Sequence, residues 1–404
     1  MEFSHESSII LQHLIPKLAN ETYKDKMINV EITNILYNDL KSSMNYYNKT
    51  SNNIKIKLLN YKNLIYPTSY SSNYYSREIK DYIQSHIKYQ LEYTFNIYNR
   101  KFTIFFSLFN DDEINNIDKY NNYIKYIIMW LHMCNKYTTH KCSRTLKVFF
   151  YLTPLKKTLP HIKTKVISYE HINTGMTYRC VPDNEIFIYR TQEWFKVFIH
   201  ETFHSFGLDI DNVDNNILKD KISKIFPIHS SFNIAETYTE VWARILNCCF
   251  SSFLSSKNET DFNLFFNFTL QIERIFSIIQ LNKILAFMNL EYNDLWGKNK
   301  ISEGLRNTLY KEDSNTFCYF VLAGILMNDY THFLKWCYEN NSSFIKYKQV
   351  SNNIKFVNLI LELYKNKNLS KNNENVNLQI KKDKHHKFLS HTSRMSAIEI
   401  KMIE

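Results

Sequence analysis

The sequence predicts an α+β protein in which a mixed sheet with its helices gives way to a largely helical C-terminal half. Three observations carry that expectation. Runs rich in aromatic and β-branched residues, with the character of strands, cluster between residues 90 and 190. Apolar residues recur at helical spacing through most of residues 234–364. Between the two blocks lies His200-Glu-Thr-Phe-His204, inside a segment that reads independently as a helix.

Taken in order, residues 1–88 form an Asn- and Tyr-rich, mainly helical region with no motif that carries chemistry. Residues 90–98 and 101–109 flank a short polar turn and predict a hairpin. A helix over about 111–135 follows, with Tyr123, Ile124, Ile127, Ile128, Leu131 and Met133 on a broad apolar face. Residues 146–153, 166–169 and 185–190 predict three further strands. The stretch 171–177 holds one of only 5 glycines and predicts a tight turn near a cleft, with Asn173 a candidate substrate contact. Thr191 is the expected N-cap of the next helix, Glu193 the acidic residue of its first turn, and Gly207 its stop. Helices over 234–255, 260–288, 316–339 and 345–364 complete the second half. The expected units are 1–88, a sheet subdomain at 89–207, a helical subdomain at 208–365 and a basic polar tail at 366–404.

Composition sets outer limits. With 44% hydrophobic and 16% aromatic residues in 404, the chain can bury a large core and is no disordered protein. Seven cysteines, an odd number without a CxxC pair, predict reduced, buried thiols and no disulfide framework. The amino terminus lacks the basic start and apolar run of a signal peptide. Residues 317–327 are apolar but too short for a bilayer before Asn328 and Asp329 interrupt them, so no membrane span and a cytoplasmic location are expected. The net charge of +11 is spread thinly, except for Lys381-Lys-Asp-Lys-His-His-Lys387 in the tail, a weak candidate contact for nucleic acid or a solubilising stretch. Residues 395–403 could form a short docking helix.

The chemistry resides in the His-Glu-x-x-His stretch. On a helix, i and i+4 place His200 and His204 on one face, one turn apart, where their ring nitrogens can converge on one metal ion. Glu201 then sits beside that ion as a candidate general base. Catalytic zinc takes three protein ligands, so a third must lie elsewhere. Glu236 and Glu240, again four apart on a helical stretch, are the candidates; if Glu236 ligates, Glu240 can accept the free N–H of a ligand histidine.

These residues resemble the gluzincin branch of zinc metallopeptidases, in which HExxH on one helix is completed by a glutamate on the next long helix. The resemblance implies a zincin-like catalytic domain and one Zn2+ per chain on His200, His204 and Glu236, with Glu201 as general base. It also implies a peptide or protein substrate whose backbone joins the edge strand of the sheet. Ala235 stands where thermolysin-like members carry Asn, and the interval from His204 to Glu236 is longer than theirs. The metzincin pattern HExxHxxGxxH/D is similar up to Gly207. Ile210 then occupies its ligand place and Asp209 stands one residue early, which leaves Asp209 an alternative ligand. Arg190 is a candidate anchor for a substrate carboxylate, and His229 and Tyr238 are candidate oxyanion donors. The Asn, Lys, Ile and Tyr bias is similar in style to proteins of large DNA viruses, which implies host cytoplasm or virion. Readings of other classes are a non-catalytic zincin-like scaffold or virion component that binds zinc structurally and, third, a basic nucleic-acid-binding protein. Oligomeric state is not legible.

Overall fold

Alternation of large apolar side chains along the strands gives the sheet two buried faces, and helices cover both. In the computed structural model, which describes residues 3–19, 27–71, 75–367, 369–370, 373 and 386–399, the chain has the expected α+β architecture. It begins with α1 (His5–Ala19), α2 (Val30–Thr50), β1 (Lys55–Asn60), α3 (Arg77–His86), β2 (Tyr89–Ile97) and β3 (Arg100–Leu108). Then come α4 (Ile117–Tyr137), β4 (Thr145–Thr153), β5 (Ile167–Ser168), α5 (Tyr169–Ile172), β6 (Gly175–Thr177), β7 (Asp183–Arg190) and α6 (Trp194–Ser205). The second half comprises α7 (Asn212–Ser223), α8 (Ile234–Ser255), α9 (Glu259–Phe287), α10 (Lys300–Leu309), β8 (Glu312–Asp313), α11 (Ala323–Asn328), α12 (Tyr330–Asn340) and α13 (Asn353–Leu363).

Six strands pair in the order β1-β2-β3-β4-β7-β6. The β2/β3 hairpin is antiparallel, β3/β4 and β4/β7 are parallel, and β6 returns antiparallel at the edge. Phe105, Phe149 and Phe187 project to the face covered by Ile79 and Ile83 of α3. Ile104, Phe106, Val148, Phe150, Ile186 and Ile188 project into the larger core shared with α4, α6 and the helical half. That core is continuous from Ile10 to Ile398. No helix among the described residues is long and apolar enough to cross a membrane.

Several expectations need correction. The mainly helical N-terminal region also contributes β1, whose side chains are mostly exposed because it is an edge strand. The strand expected at 166–169 shrinks to β5 and pairs with β8, outside the main sheet. The stretch expected to be only a turn, 171–177, instead supplies the short helix α5 and the edge strand β6. The helix expected over 316–339 is wound as a π-helix at Phe317–Leu322 and broken at Asp329, whose φ of −129° and ψ of 57° are not helical.

Cysteine chemistry is corrected as well. Cys142 and Cys180 form a disulfide, their Cα atoms 4.5 Å apart, while Cys134, Cys248, Cys249, Cys318 and Cys337 are free and buried. An odd count left room for one pair, and the fold makes it by running two loops together below α6: Ser143 N–H donates to Val181 O and Cys180 N–H to His204 O.

The tail is the largest departure. Residues 394–399 do not form a docking helix but thread into the core as an extended strap, in which Met395, Ala397 and Ile398 are buried. The Glu273 carboxylate accepts the backbone N–H groups of Ala397 and Ile398 and the Ser396 hydroxyl. Glu193 accepts those of Met395 and Ser396. These carboxylates satisfy donors that a helix would have paired internally. Arg394, fully buried, binds Glu6 at 2.7 Å and Glu399 at 3.1 Å. Of the basic patch, residues 381–385 lie outside the described residues.

Candidate metal centre

The centre is built from α6 and α8, which cross in the core. Nearly every residue of α6 is buried, so its two histidines are held by packing rather than by their own contacts alone. The helix starts later than expected. Thr191 donates its hydroxyl to Leu152 O, and Glu193 is the N-cap residue, in the left-handed region at φ 59°, with its carboxylate turned to the strap and Lys157 instead of the helix. Gly207 at φ +62° ends it, as expected, and a Cβ there would meet both sulfurs of the disulfide at 3.3 Å. Helix α8 starts on Asn233, whose side chain accepts from Ala235 N–H.

This crossing brings three donor atoms together. His200 Nε2 lies 3.2 Å from His204 Nε2, and Glu236 Oε2 lies 3.1 Å from the first and 3.3 Å from the second. The outer ring nitrogens are engaged by carboxylates that can only accept, His200 Nδ1 by Glu240 at 3.0 Å and His204 Nδ1 by Asp209 at 2.7 Å. Both Nδ1 atoms therefore carry hydrogen, and both Nε2 atoms face Glu236. Burial works against a charged imidazole, yet the hydrogen bonds to Glu236 and Glu240 outweigh it at His200, and Glu236 and Asp209 outweigh it at His204, so both rings are held above the ordinary histidine range. Burial opposes the Glu236 charge too, and the two histidines overcome it, holding that carboxyl well below its usual range. Two ring nitrogens and a carboxylate so close together call for a cation between them, proton or metal.

The supporting carboxylates are themselves compensated. Glu240 takes Lys196 Nζ and Arg244 Nε, each at 2.9 Å, and Asp209 takes Arg179 at 3.0 Å. Arg244 also donates to Ser277 Oγ and to Tyr319 O, both at 2.8 Å. The Tyr319 hydroxyl donates to Glu236 Oε2 at 2.9 Å. Glu201 is buried beside the histidines, and burial raises its carboxyl above the ordinary range. Strand β6 passes directly over it: a Cβ on Gly175 would come within 3.1 Å of Glu201 Oε1 and 2.9 Å of Val197 Cγ1. A small cleft of about 40 Å³ opens here, lined among others by Asn173, Gly175, His200, Glu201, Tyr319 and Met395.

The candidates thus separate. His200, His204 and Glu236 converge; Asp209 and Glu240 stand behind the histidines; Glu201 and Asn173 line the cleft. The Arg190 guanidinium is spent on the backbone, donating to the carbonyls of Leu155, Lys156, Glu170 and Asn173, so it braces the loops around the cleft instead of facing it. Tyr238 lies two residues past Glu236 and so on another side of α8, where its hydroxyl donates to Ile345 O at 2.9 Å among aromatic rings. His229 is exposed in the loop before α8 and takes no part in the cluster's contacts. Sequence reasoning missed Tyr319, Lys196, Arg244 and Arg179. Lys196 precedes His200 by four and Arg244 follows Glu240 by four, so both were legible as helix neighbours of site residues. Tyr319 was hidden in an apolar run.

No protein-family model, curated protein or solved structure matches this chain.

Proposed function

We propose that the chain is a zinc-dependent metallopeptidase of gluzincin type, with His200, His204 and Glu236 holding one Zn2+ and Glu201 acting as general base. The donor triangle carries the reading. Tetrahedral zinc with bonds of about 2.0–2.1 Å sets its ligand atoms about 3.3 Å apart, and the three donors stand 3.1, 3.2 and 3.3 Å from one another. The carboxylates on both Nδ1 atoms add support, since ligand histidines ordinarily donate their second N–H to such a group.

Zinc held there supplies Lewis acidity toward a scissile carbonyl and acidifies a water. The protein's own groups do the rest. Glu201, turned into the cleft, takes a proton from the attacking water and returns it to the leaving amine. The Tyr319 hydroxyl, which donates to Glu236 Oε2, is the candidate oxyanion donor once its single O–H turns from that carboxylate to the tetrahedral oxygen. Strand β6 ends the sheet order among the described residues, and it is the strand that an extended substrate backbone would join by strand addition. Gly175 lets that strand lie against Glu201 without a side chain between them.

A peptide-library digest read by mass spectrometry tests the proposal. Zinc-loaded wild type should cleave, a chelator should stop it, and zinc should restore it. Glu201→Gln should lose about 10²–10⁴-fold in rate while keeping its metal. Cleavage undiminished in Glu201→Gln, or none by zinc-loaded wild type, would reject the peptidase reading.

A further inference from the structure

A second cavity lies away from the metal centre, between α1, α9 and the chain leading into the strap. It measures about 430 Å³, and its wall is mostly hydrocarbon: Ile10, Leu14, Leu159, Phe276, Phe287 and Leu389 contribute. It opens to solvent past Lys163 and Ala286, which are exposed, and inside it water would find few polar partners. Its volume suits one long alkyl chain.

One group in the wall does not suit an apolar void. Lys283, only 7% exposed, lines the cavity from α9 and donates to the carbonyl oxygen of Leu389 at 3.0 Å and to that of Thr392. An ammonium has three N–H donors, so among the described residues one remains. No carboxylate among the described residues pairs with it, and burial alone pulls it down to about 7. The other polar groups of the wall are His13, Lys163 and Ser390. Lys163 adds a second basic side chain and none of the lining residues is acidic, so the polar part of the wall favours an anion.

We propose that this cavity binds a long-chain fatty acid, with its carboxylate on Lys283 and its alkyl chain between α1 and α9. The carboxylate supplies a counterion, of which the buried ammonium has none among the described residues, and the alkyl chain fills the apolar volume. The site is independent of the peptidase reading.

Palmitate titrated into the full-length chain by calorimetry tests it, with hexadecanol as the uncharged control. Palmitate should bind at one per chain. Lys283→Met should weaken it at least about tenfold while leaving hexadecanol unchanged. Ala286→Phe and Leu159→Trp, which fill the cavity from different walls, should each abolish binding while the melting temperature holds or rises. Absence of palmitate binding by wild type would overturn the proposal. So would binding unaffected by both cavity-filling variants, which would mark adsorption elsewhere. Loss of stability in both, with no palmitate bound by wild type, would show that the chain's own residues occupy the space.

Discussion

Each histidine of the centre gives one ring nitrogen to a buried carboxylate, and that contact decides where the other nitrogen points. The i, i+4 spacings of His200 with His204 and of Glu236 with Glu240 made this legible in the sequence, because a helix turns four residues into one face. The choice between Glu236 and Glu240 was not legible, since both share that face. The structure separates them by depth: Glu240 is fully buried between Lys196, Arg244 and His200, and Glu236 faces both Nε2 atoms. Tyr319 comes from 83 residues beyond Glu236, and an apolar stretch around it reads as core, so nothing local announced it. If its hydroxyl serves the oxyanion, Tyr319→Phe should lower kcat by about 10²–10³-fold, with KM and bound zinc little changed. Steady-state kinetics beside metal analysis would check this, and an unchanged kcat would remove Tyr319 from the mechanism.

At the scale of elements, legibility followed length. The β2/β3 hairpin and α8 showed in the sequence because nine and twenty-two residues carry a clear period. Strand β6, three residues long, has no period to show, and its place is set by pairing with β7 and by the close approach of Gly175 to α6. The strap is similar, because its backbone is held by side-chain carboxylates far away in sequence. One of these yields a pH prediction. Burial pushes the Glu273 carboxyl from 4.5 up to about 7, with Arg244 and the strap N–H groups pulling the other way. The folded state then keeps a proton between about pH 4.5 and 7 that the unfolded chain releases, so this group's contribution is full below pH 4.5 and is lost as pH rises through 7. The amount is on the order of 3 kcal/mol. Wild type should therefore lose stability between pH 5 and 7.5 relative to Glu273→Gln in chemical denaturation. Parallel pH profiles for the two proteins would contradict this.

Across the whole molecule, one core joins the first helix to the last described strand-like segment, and buried ion pairs fasten the two ends: Arg394 meets Glu6 of α1 and Glu399 of the strap. The sequence indicated the size of this core through its apolar and aromatic content but not its closure, because contacts between residues 6 and 394 leave no periodic trace. Cysteine parity misled for the same reason, since pairing is decided by geometry in three dimensions. The Cys142–Cys180 bond closes a loop of 38 residues that includes β4 and β5 and ends beside Arg179, which holds Asp209 behind His204. Cys180→Ser should cost about 4 kcal/mol by chain entropy. Denaturation of both proteins without reductant measures it, and equal midpoints would show that the bond does not constrain the unfolded chain.

His200, His204 and Glu236 are proposed to hold one zinc ion. Elemental analysis of purified wild type, His204→Ala, Glu236→Gln and Asp209→Asn tests it most directly, after dialysis against zinc and then against buffer. One zinc per chain is expected in wild type, none in the first two variants, and affinity reduced about 10–100-fold in Asp209→Asn, where the ligand remains but its support is weakened. Wild type without zinc, or zinc retained in both His204→Ala and Glu236→Gln, would contradict it.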